Sequence, residues 1–197
     1  VLHTSITWLK LACIHPIPWR SPLSHSTRSI YEGRIVKLGI ESLTLPNGTA
    51  LELEVVRHPG GAAVAALDEQ DRVCLLRQYR HAGGGWIWEL PAGKLEPGEP
   101  AGTTASRELA EEAGLHAGSW EELGKTLVTP GFCDELIHLF LARNLTGTDT
   151  QQEPHELIEI HWMPFTDALE KVYDGTINDA KTMLGLLLAE RHVGKHT

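Results

Sequence analysis

The sequence predicts an α+β domain with the layered packing of an α/β/α sandwich, and three observations lead to this fold class. Most apolar segments are short, and several alternate with polar residues at a period of two, which is typical of strands. Helical patterns occur at only three well-separated places along the chain. The 197 residues are 42% hydrophobic and 22% charged, so the chain is long and apolar enough to bury a core.

The first part of the chain divides into a leader and a β-hairpin. Residues 1–29 carry no acidic side chain, three basic ones and several serines and prolines, so we expect a leader or a poorly ordered tail. Two alternating runs follow at residues 34–45 and 50–56, and they flank Pro46-Asn47-Gly48. Asn-Gly between such runs is the strongest short hairpin signal. We therefore predict an N-terminal antiparallel β subdomain at residues 30–58.

The main domain is predicted at residues 59–193. Its strands are short apolar runs bounded by turn residues, and its helices show apolar residues that recur every three to four positions. The predicted strands cover residues 62–67, 72–77, 86–90, 123–128, 136–142 and 157–162. The predicted helices cover residues 103–113, 166–173 and 179–192. Mixed strands with few helices favour the layered α+β arrangement.

Composition and charge exclude several classes of protein. There are 26 acidic and 17 basic side chains, for a formal net charge of −9, which argues against a nucleic-acid binder. No apolar run approaches the length of about 20 residues that a membrane span needs. The three cysteines are far apart and form no CxxC pair, so neither a disulfide scaffold nor a structural zinc site is expected. We expect a cytoplasmic protein without nucleic-acid or membrane partners.

The helix at residues 103–113 carries the most informative side chains. Thr103 or Thr104 can cap its start, and Gly114 can end it in the left-handed conformation. Three carboxylates have the spacing i, i+3 and i+4, so they lie on one flank and can converge on a common point. These residues are Glu108, Glu111 and Glu112.

Such a cluster of like charges destabilises a helix, and a hard divalent cation would relieve the repulsion. Arg107 precedes Glu111 by four residues and can pair with it. Glu99 lies in the preceding Pro-Gly loop and can fold back towards the same cluster. Three glutamates by themselves also fit a solvated acidic helix face. The spacing of the residues around them, from 93 to 115, decides between this interpretation and a cation site.

Residues 93–115 contain a glycine, five residues, a glutamate, seven residues and then Arg-Glu-Leu-Ala-Glu-Glu-Ala-Gly-Leu. This spacing resembles the Nudix box at every defined position. The resemblance implies the Nudix fold and the hydrolysis of a nucleoside diphosphate linked to another moiety. It also implies a Mg²⁺ cofactor, with Mn²⁺ as a possible substitute. The implied metal ligands are the Glu108, Glu111 and Glu112 carboxylates and the carbonyl of Ala92.

The flanks of the box resemble the ADP-ribose pyrophosphatase branch of the Nudix superfamily. The similar segments are Arg77-Gln-Tyr-Arg80 and Trp88-Glu-Leu-Pro-Ala-Gly93, followed by Pro130 fifteen residues beyond the last box position. This resemblance implies hydrolysis of ADP-ribose to AMP and ribose 5-phosphate. The implied contacts are Arg80, and less strongly Arg77, with the diphosphate, Glu135 with ribose hydroxyls, and Arg57 with a phosphate across a dimer interface.

The resemblance also implies a catalytic base and a homodimer. In this branch the base usually comes from an acidic loop before the strand at residues 157–162, where Glu153 and Glu156 are both candidates. The role can also fall to a box glutamate, and this alternative stays open. The N-terminal strands are implied to exchange between two subunits of a homodimer.

Two other functions compete with ADP-ribose hydrolysis. One is a Nudix hydrolase for other nucleoside diphosphate derivatives, such as nucleotide sugars, NADH or flavin adenine dinucleotide. The other is a non-catalytic Nudix domain that binds a nucleotide and regulates a partner. Such domains commonly lose box carboxylates, whereas this chain retains all three, which favours an enzyme.

Overall fold

The structure, a computed structural model, describes residues 26–152 and 155–193. The strands are β1 (Ser26–Glu32), β2 (Lys37–Thr44), β3 (Ala50–Arg57), β4 (Gly61–Ala66), β5 (Arg72–Arg80), β6 (Gly85–Glu89), β7 (Ala92–Lys94), β8 (Leu115–Leu127), β9 (Leu136–Gly147) and β10 (Ile158–Pro164). The helices are α1 (Ala101–Ala113), α2 (Phe165–Tyr173) and α3 (Ala180–Ala189). Short 3₁₀ turns cover His81–Gly83 and Glu190–His192.

Strands β1, β2 and β3 form an antiparallel sheet at the N-terminal end of the described chain. The predicted hairpin is confirmed as β2 and β3. Its turn is closed by the Leu45 N–H, which donates to the Thr49 carbonyl at 2.8 Å, and Gly48 takes a φ of +86° that favours glycine. Residues 26–29 belong to β1 and not to the predicted leader, because they pair with β2. The remainder of that leader, residues 1–25, lies outside the described residues.

Two further sheets build the main domain. One has the antiparallel order β10-β5-β6, and the other has the order β7-β4-β9-β8, in which β4 and β9 are parallel. Strand β4 is buried along its whole length and alternates between two cores. Ala62, Val64 and Ala66 join the core that includes α1, whereas Ala63 and Ala65 join the core that includes α2 and α3. Helices therefore cover both faces, and the predicted α/β/α sandwich is confirmed.

Helix α1 begins two residues earlier than predicted, and the predicted N-terminal cap at Thr103 or Thr104 is wrong. Pro100 occupies the N-cap position with extended backbone and no side-chain cap bond. The Thr104 hydroxyl donates to Glu99 Oε2 at 2.8 Å, and Thr103 also makes no cap bond. The predicted end of the helix is confirmed, because Gly114 lies in the left-handed region with a φ of +64°.

Strand β8 departs most from the prediction, which placed a strand only at residues 123–128. It begins at residue 115, because its first half pairs with the second half of β9 in an antiparallel ribbon. That half is largely exposed and carries little apolar alternation, so backbone pairing rather than core packing holds it. Strand β7 is too short to give a sequence pattern and was also not predicted. Within the described part of the chain, none of the helices is long and apolar enough to cross a lipid bilayer.

Candidate active site

The site is built around a hydrogen bond between α1 and the short strand β7. The Ala92 N–H donates to Glu112 Oε2 at 2.8 Å, and Glu112 is only 4% exposed. Ala92 is fixed in turn because it lies opposite Ala63 in the central strand β4. Packing of α1 on the sheet therefore carries Glu112 into the interior, where its carboxylate meets the backbone of the segment that precedes the box glycine.

Gly93 allows a second carboxylate to approach the same backbone. A Cβ atom at this position would lie 2.0 Å from Glu108 Oε1 and 2.1 Å from Glu108 Cδ. Any side chain here therefore displaces the Glu108 carboxylate. The first glycine of the motif is required because the space normally filled by Cβ is occupied by this carboxylate.

Arg107 gathers the acidic side chains of the motif. Its guanidinium donates to Glu108 Oε1 at 2.6 Å and to Glu111 Oε2 at 3.1 Å. It also donates to both carboxylate oxygens of Glu99 at 3.3 Å. The predicted pairing of Arg107 with Glu111 and the predicted return of Glu99 are both confirmed. The hydrogen bonds from Arg107 and Thr104 lower the pKa of Glu99 to about 2.

The buried Glu112 and the half-buried Glu108 lie in a field of excess negative charge. Burial raises the pKa of Glu112 to about 8, and the charges of Glu108 and Glu156 add to this effect. Burial also raises the pKa of Glu108, with further contributions from Glu111 and Glu156. Arg107 and Arg80 offset only part of this repulsion. An additional cation would therefore be stabilised here.

The donor set fits a hard divalent cation. Carboxylate oxygens are the ligands that Mg²⁺ and Mn²⁺ prefer, and the Gly93 cradle leaves Glu108 next to the backbone of β7. Across residues 26–152 and 155–193, no three Asp, Glu, His or Cys side chains are already arranged as a metal site. Instead, the Arg107 guanidinium binds Glu108 and Glu111, and the Ala92 N–H binds Glu112.

The loop after β9 brings the predicted base region to the end of α1. The Gln151 N–H donates to the Glu111 carbonyl at 2.9 Å, and the Gln152 side chain donates to the Glu112 carbonyl at 2.9 Å. Glu153 lies outside the described residues. Glu156 is described, and its charge raises the pKa of both Glu108 and Glu112, which places it near the box carboxylates.

Arg80 lies at the end of β5 and is held by an ion-pair network. Its Nε donates to Glu89 Oε2 at 2.7 Å, and Glu89 also binds Lys181 on α3. Lys181 Nζ lies 3.0 Å from Asp179 Oδ2, and Asp179 caps α3 by accepting from Thr182. The charges of Glu89 and Glu112 raise the pKa of Arg80 against the lowering effect of burial. The network therefore holds Arg80 within electrostatic reach of the box.

Arg77 does not share the face of Arg80. Side chains alternate along a strand, and an odd separation of three residues places the two arginines on opposite faces of β5. Arg77 lies above the Trp86 ring at 5.7 Å and 3.7 Å from Glu159 Oε2. The structure thus groups Arg77 with an exposed aromatic surface and not with the box carboxylates.

Arg57 and Glu135 lie together where the N-terminal sheet joins the main domain. Arg57 donates to Glu41 Oε1 at 2.9 Å and to Asp134 Oδ2 at 3.0 Å. Glu135 Oε1 lies 3.5 Å from His58 Nδ1. Arg57 is therefore already engaged by two carboxylates, one of which, Glu41, is 6% exposed. This arrangement fixes the end of β3 against the loop before β9.

Sequence reasoning missed the charged residues that hold these arginines. Glu89, which is 2% exposed, and Lys181 form the ion pair behind Arg80, while Glu41 and Asp134 hold Arg57. Two signals were available. The segment around Lys181 is similar to the pyrophosphatase branch, and Glu89 lies at the end of an apolar strand, where a buried carboxylate needs a cationic partner.

The fold and the carboxylate site define the class of protein. The family model described as the NUDIX domain matches residues 57–184. The chain therefore belongs to the Nudix family, as the motif indicated. A solved structure described as an ADP compounds hydrolase supports the fold, with a TM-score of 0.74 and 21% identity over 88% of this chain and 96% of that chain.

Two curated relatives show how much of the chain is similar to known proteins and what those proteins are named for. The chain is 38% identical to the ADP-ribose pyrophosphatase of Bacillus subtilis, over 78% of this chain and 84% of that protein. It is 37% identical to the methanol dehydrogenase activator of Bacillus methanolicus, over 81% of this chain and 88% of that protein. The similarity thus extends well beyond the box and includes both an enzyme and a protein named for activation.

Proposed function

We propose that this protein hydrolyses ADP-ribose to AMP and ribose 5-phosphate in the presence of Mg²⁺. The observation that carries the proposal is that Glu112, buried against Ala92, lies within electrostatic reach of Arg80, so a cation-binding carboxylate and a cationic group for the diphosphate are neighbours. The similarity to an ADP-ribose pyrophosphatase supports this substrate among the nucleoside diphosphate derivatives.

The metal-binding role belongs to the box. Glu108, Glu111, Glu112 and the carbonyl of Ala92 would hold Mg²⁺, and Mn²⁺ has the same preference for oxygen ligands. When bound, the metal neutralises phosphate charge and orients the attacking water. To bind it, Glu108 and Glu111 must exchange the Arg107 guanidinium for the cation, which leaves Arg107 paired with Glu99.

The remaining residues bind the substrate and move one proton. Arg80 binds the diphosphate, and Glu135 bonds hydroxyls of the terminal ribose. Glu156 accepts a proton from water as the water oxygen bonds to one phosphorus. The bond from that phosphorus to the bridging oxygen then breaks, and the two phosphates remain on AMP and ribose 5-phosphate.

Glu156→Gln tests the catalytic base. A general base contributes about 10²–10⁴-fold to the rate, so we expect kcat to fall within this range. The concentration of Mg²⁺ that gives half-maximal activity should stay nearly constant, because the box ligands are intact. Glu153→Gln is the matched variant in the same loop. A tenfold or greater loss for Glu153→Gln, with none for Glu156→Gln, would move the base to residue 153.

A substrate panel tests the function itself. ADP-ribose, nucleotide sugars, NADH and flavin adenine dinucleotide are each incubated with protein and Mg²⁺, and the products are separated and quantified. We expect ADP-ribose to have the highest kcat/KM and to yield AMP. A preference for another compound would change the substrate assignment alone. Binding of a nucleotide without any hydrolysis would favour the regulatory function that the activator relative brings into consideration.

A homodimer through the N-terminal strands completes the proposal. The N-terminal sheet and its β1–β2 connection expose the large apolar side chains of Ile30, Tyr31, Ile35 and Leu53, which a partner surface would cover. Light scattering should give twice the mass of 21.7 kDa, and Leu53→Lys should shift the mass towards the monomer. A wild-type monomer at micromolar concentration would contradict this proposal.

We also propose that the protein is cytoplasmic, and the free thiols of Cys74 and Cys133 support this location.

A further inference from the structure

The guanidinium of Arg80 uses only one of its three nitrogens within the described part of the chain. Nε donates to Glu89 Oε2 at 2.7 Å, and no bond from the two terminal nitrogens to another described residue accompanies it. The second oxygen of Glu89, Oε1, accepts from Lys181 Nζ. Each carboxylate oxygen of Glu89 therefore has its own cationic partner, and the terminal nitrogens of Arg80 stay available.

Arg57 provides a comparison, because its carboxylate partner Glu41 binds no second cation among residues 26–152 and 155–193. Both Nε and the terminal nitrogen NH2 of Arg57 bind the buried Glu41, with Nε–Oε1 at 2.9 Å and NH2–Oε2 at 2.7 Å. Such a two-bond pair is the geometry that arginine and a carboxylate prefer. It turns one edge of the guanidinium towards the protein and away from any ligand.

Lys181 is itself held firmly. Its side chain is 15% exposed, and its ammonium lies 3.0 Å from Asp179 Oδ2, in addition to its bond with Glu89. Asp179 caps α3 through the Thr182 N–H and hydroxyl, and the Thr182 hydroxyl accepts from the Leu90 N–H at 2.9 Å. The first turn of α3 is thus bonded to the end of β6, so moving Lys181 away from Glu89 would cost free energy.

We propose that Lys181 is a positioning residue that keeps Arg80 open for the diphosphate by occupying Oε1 of Glu89. Without the lysine, the freed oxygen accepts a second hydrogen bond from Arg80, and the guanidinium turns towards Glu89. The inference rests on the proposed role of Arg80 in binding the diphosphate of the substrate. It assigns substrate affinity to a residue on α3 that lies 92 positions from Glu89 in the chain.

Lys181→Met tests the inference against Lys125→Met. Lys125 is an exposed lysine on β8 whose nearest carboxylate, on Glu122, lies 3.9 Å away, so its replacement removes the same charge. With ADP-ribose and Mg²⁺, Lys181→Met should raise KM about tenfold, the effect of losing one charge-assisted hydrogen bond. We expect kcat to stay within about threefold, because the box and the base are unchanged. Lys125→Met should change neither parameter.

A double-variant cycle shows whether Lys181 acts through Arg80. In an Arg80→Ala background, Lys181→Met should cause no further rise in KM. The affinity for α,β-methylene ADP, measured by calorimetry without metal, should follow the same pattern. An equal loss in both backgrounds would overturn the inference, because Lys181 would then act on the substrate or the fold directly. An unchanged KM for Lys181→Met in the wild-type background would also overturn it.

The kinetics of Arg80→Ala distinguish a failure of the proposed diphosphate contact from a failure of the present inference. If Arg80→Ala alone leaves KM unchanged, the proposed diphosphate contact of Arg80 is wrong. If Arg80→Ala raises KM and Lys181→Met does not, only the present inference is wrong. Thermal unfolding is measured for each variant. Should Lys181→Met fail to fold, Lys181→Leu replaces it. Leucine also removes the hydrogen bond to Oε1 of Glu89, so the same rise in KM is expected, and an unchanged KM again contradicts the inference.

Discussion

Glu112→Gln should lower kcat for ADP-ribose about 10³-fold, because a metal ligand of this kind supplies several kcal/mol of transition-state stabilisation. The variant is a clean test of chemistry because the glutamine oxygen can still accept the Ala92 N–H, which now donates to Glu112 at 2.8 Å. It also replaces a buried ionisable carboxyl group with a neutral amide of similar shape, so we expect the fold to be retained. The measurements are kcat at saturating Mg²⁺ and the midpoint of thermal unfolding.

Glu170→Gln is the matched control for this variant. Glu170 is an exposed glutamate on α2, outside both cores, and its replacement makes the same chemical change. It should leave kcat within experimental error. If Glu112→Gln retains more than a tenth of the wild-type kcat, the box carboxylate is not the metal ligand that we propose.

Gly93→Ala should have the second largest effect, through the carboxylate that lies over the glycine. The new methyl group would stand 2.0 Å from Glu108 Oε1, so the carboxylate must rotate away. Glu108 is a flexible side chain, and its rotation relieves the clash without unfolding the protein. Moving a catalytic carboxylate by about 1 Å from its productive position lowers kcat/KM about 10²-fold. We also expect the Mg²⁺ concentration for half-maximal activity to rise.

Gly102→Ala distinguishes this effect from a general effect of replacing glycine. Gly102 lies in the first turn of α1, and a Cβ atom there would meet nothing within 4 Å. This variant should keep full activity and gain up to about 1 kcal/mol of stability from the better helix propensity of alanine. Equal kinetics for Gly93→Ala and the wild type would show that the position of Glu108 above residue 93 has no role in catalysis.

Several features of the site were predictable because they depend on neighbours in sequence. Glu108, Glu111 and Glu112 share a helix flank as a consequence of helical geometry, and Arg107 reaches Glu111 because i,i+4 neighbours are close. The left-handed Gly114 follows from the same local chemistry. The hairpin was equally local, since Asn-Gly between alternating runs specifies the turn.

Tertiary packing decided which charged side chains complete the site. Glu89 and Lys181 are 92 residues apart, and they meet only because α3 packs against the end of β6. Arg57 meets Asp134 because the loop before β9 bonds to β3. Neither pairing has a spacing that a sequence pattern can show.

The acidity of the chain shows the same difference between what local sequence determines and what tertiary packing determines. Sequence alone determined the net charge of −9, the placement of three carboxylates on one helix flank, and membership of the class of proteins that bind a diphosphate through a cation. Only the tertiary structure decided that Glu112 is buried against Ala92, that Glu108 fills the space above Gly93, and that Arg80 is near enough for the charge of Glu112 to raise its pKa. The physical reason is that charge and helical spacing are local properties, whereas burial and the meeting of distant side chains arise when helices pack on sheets.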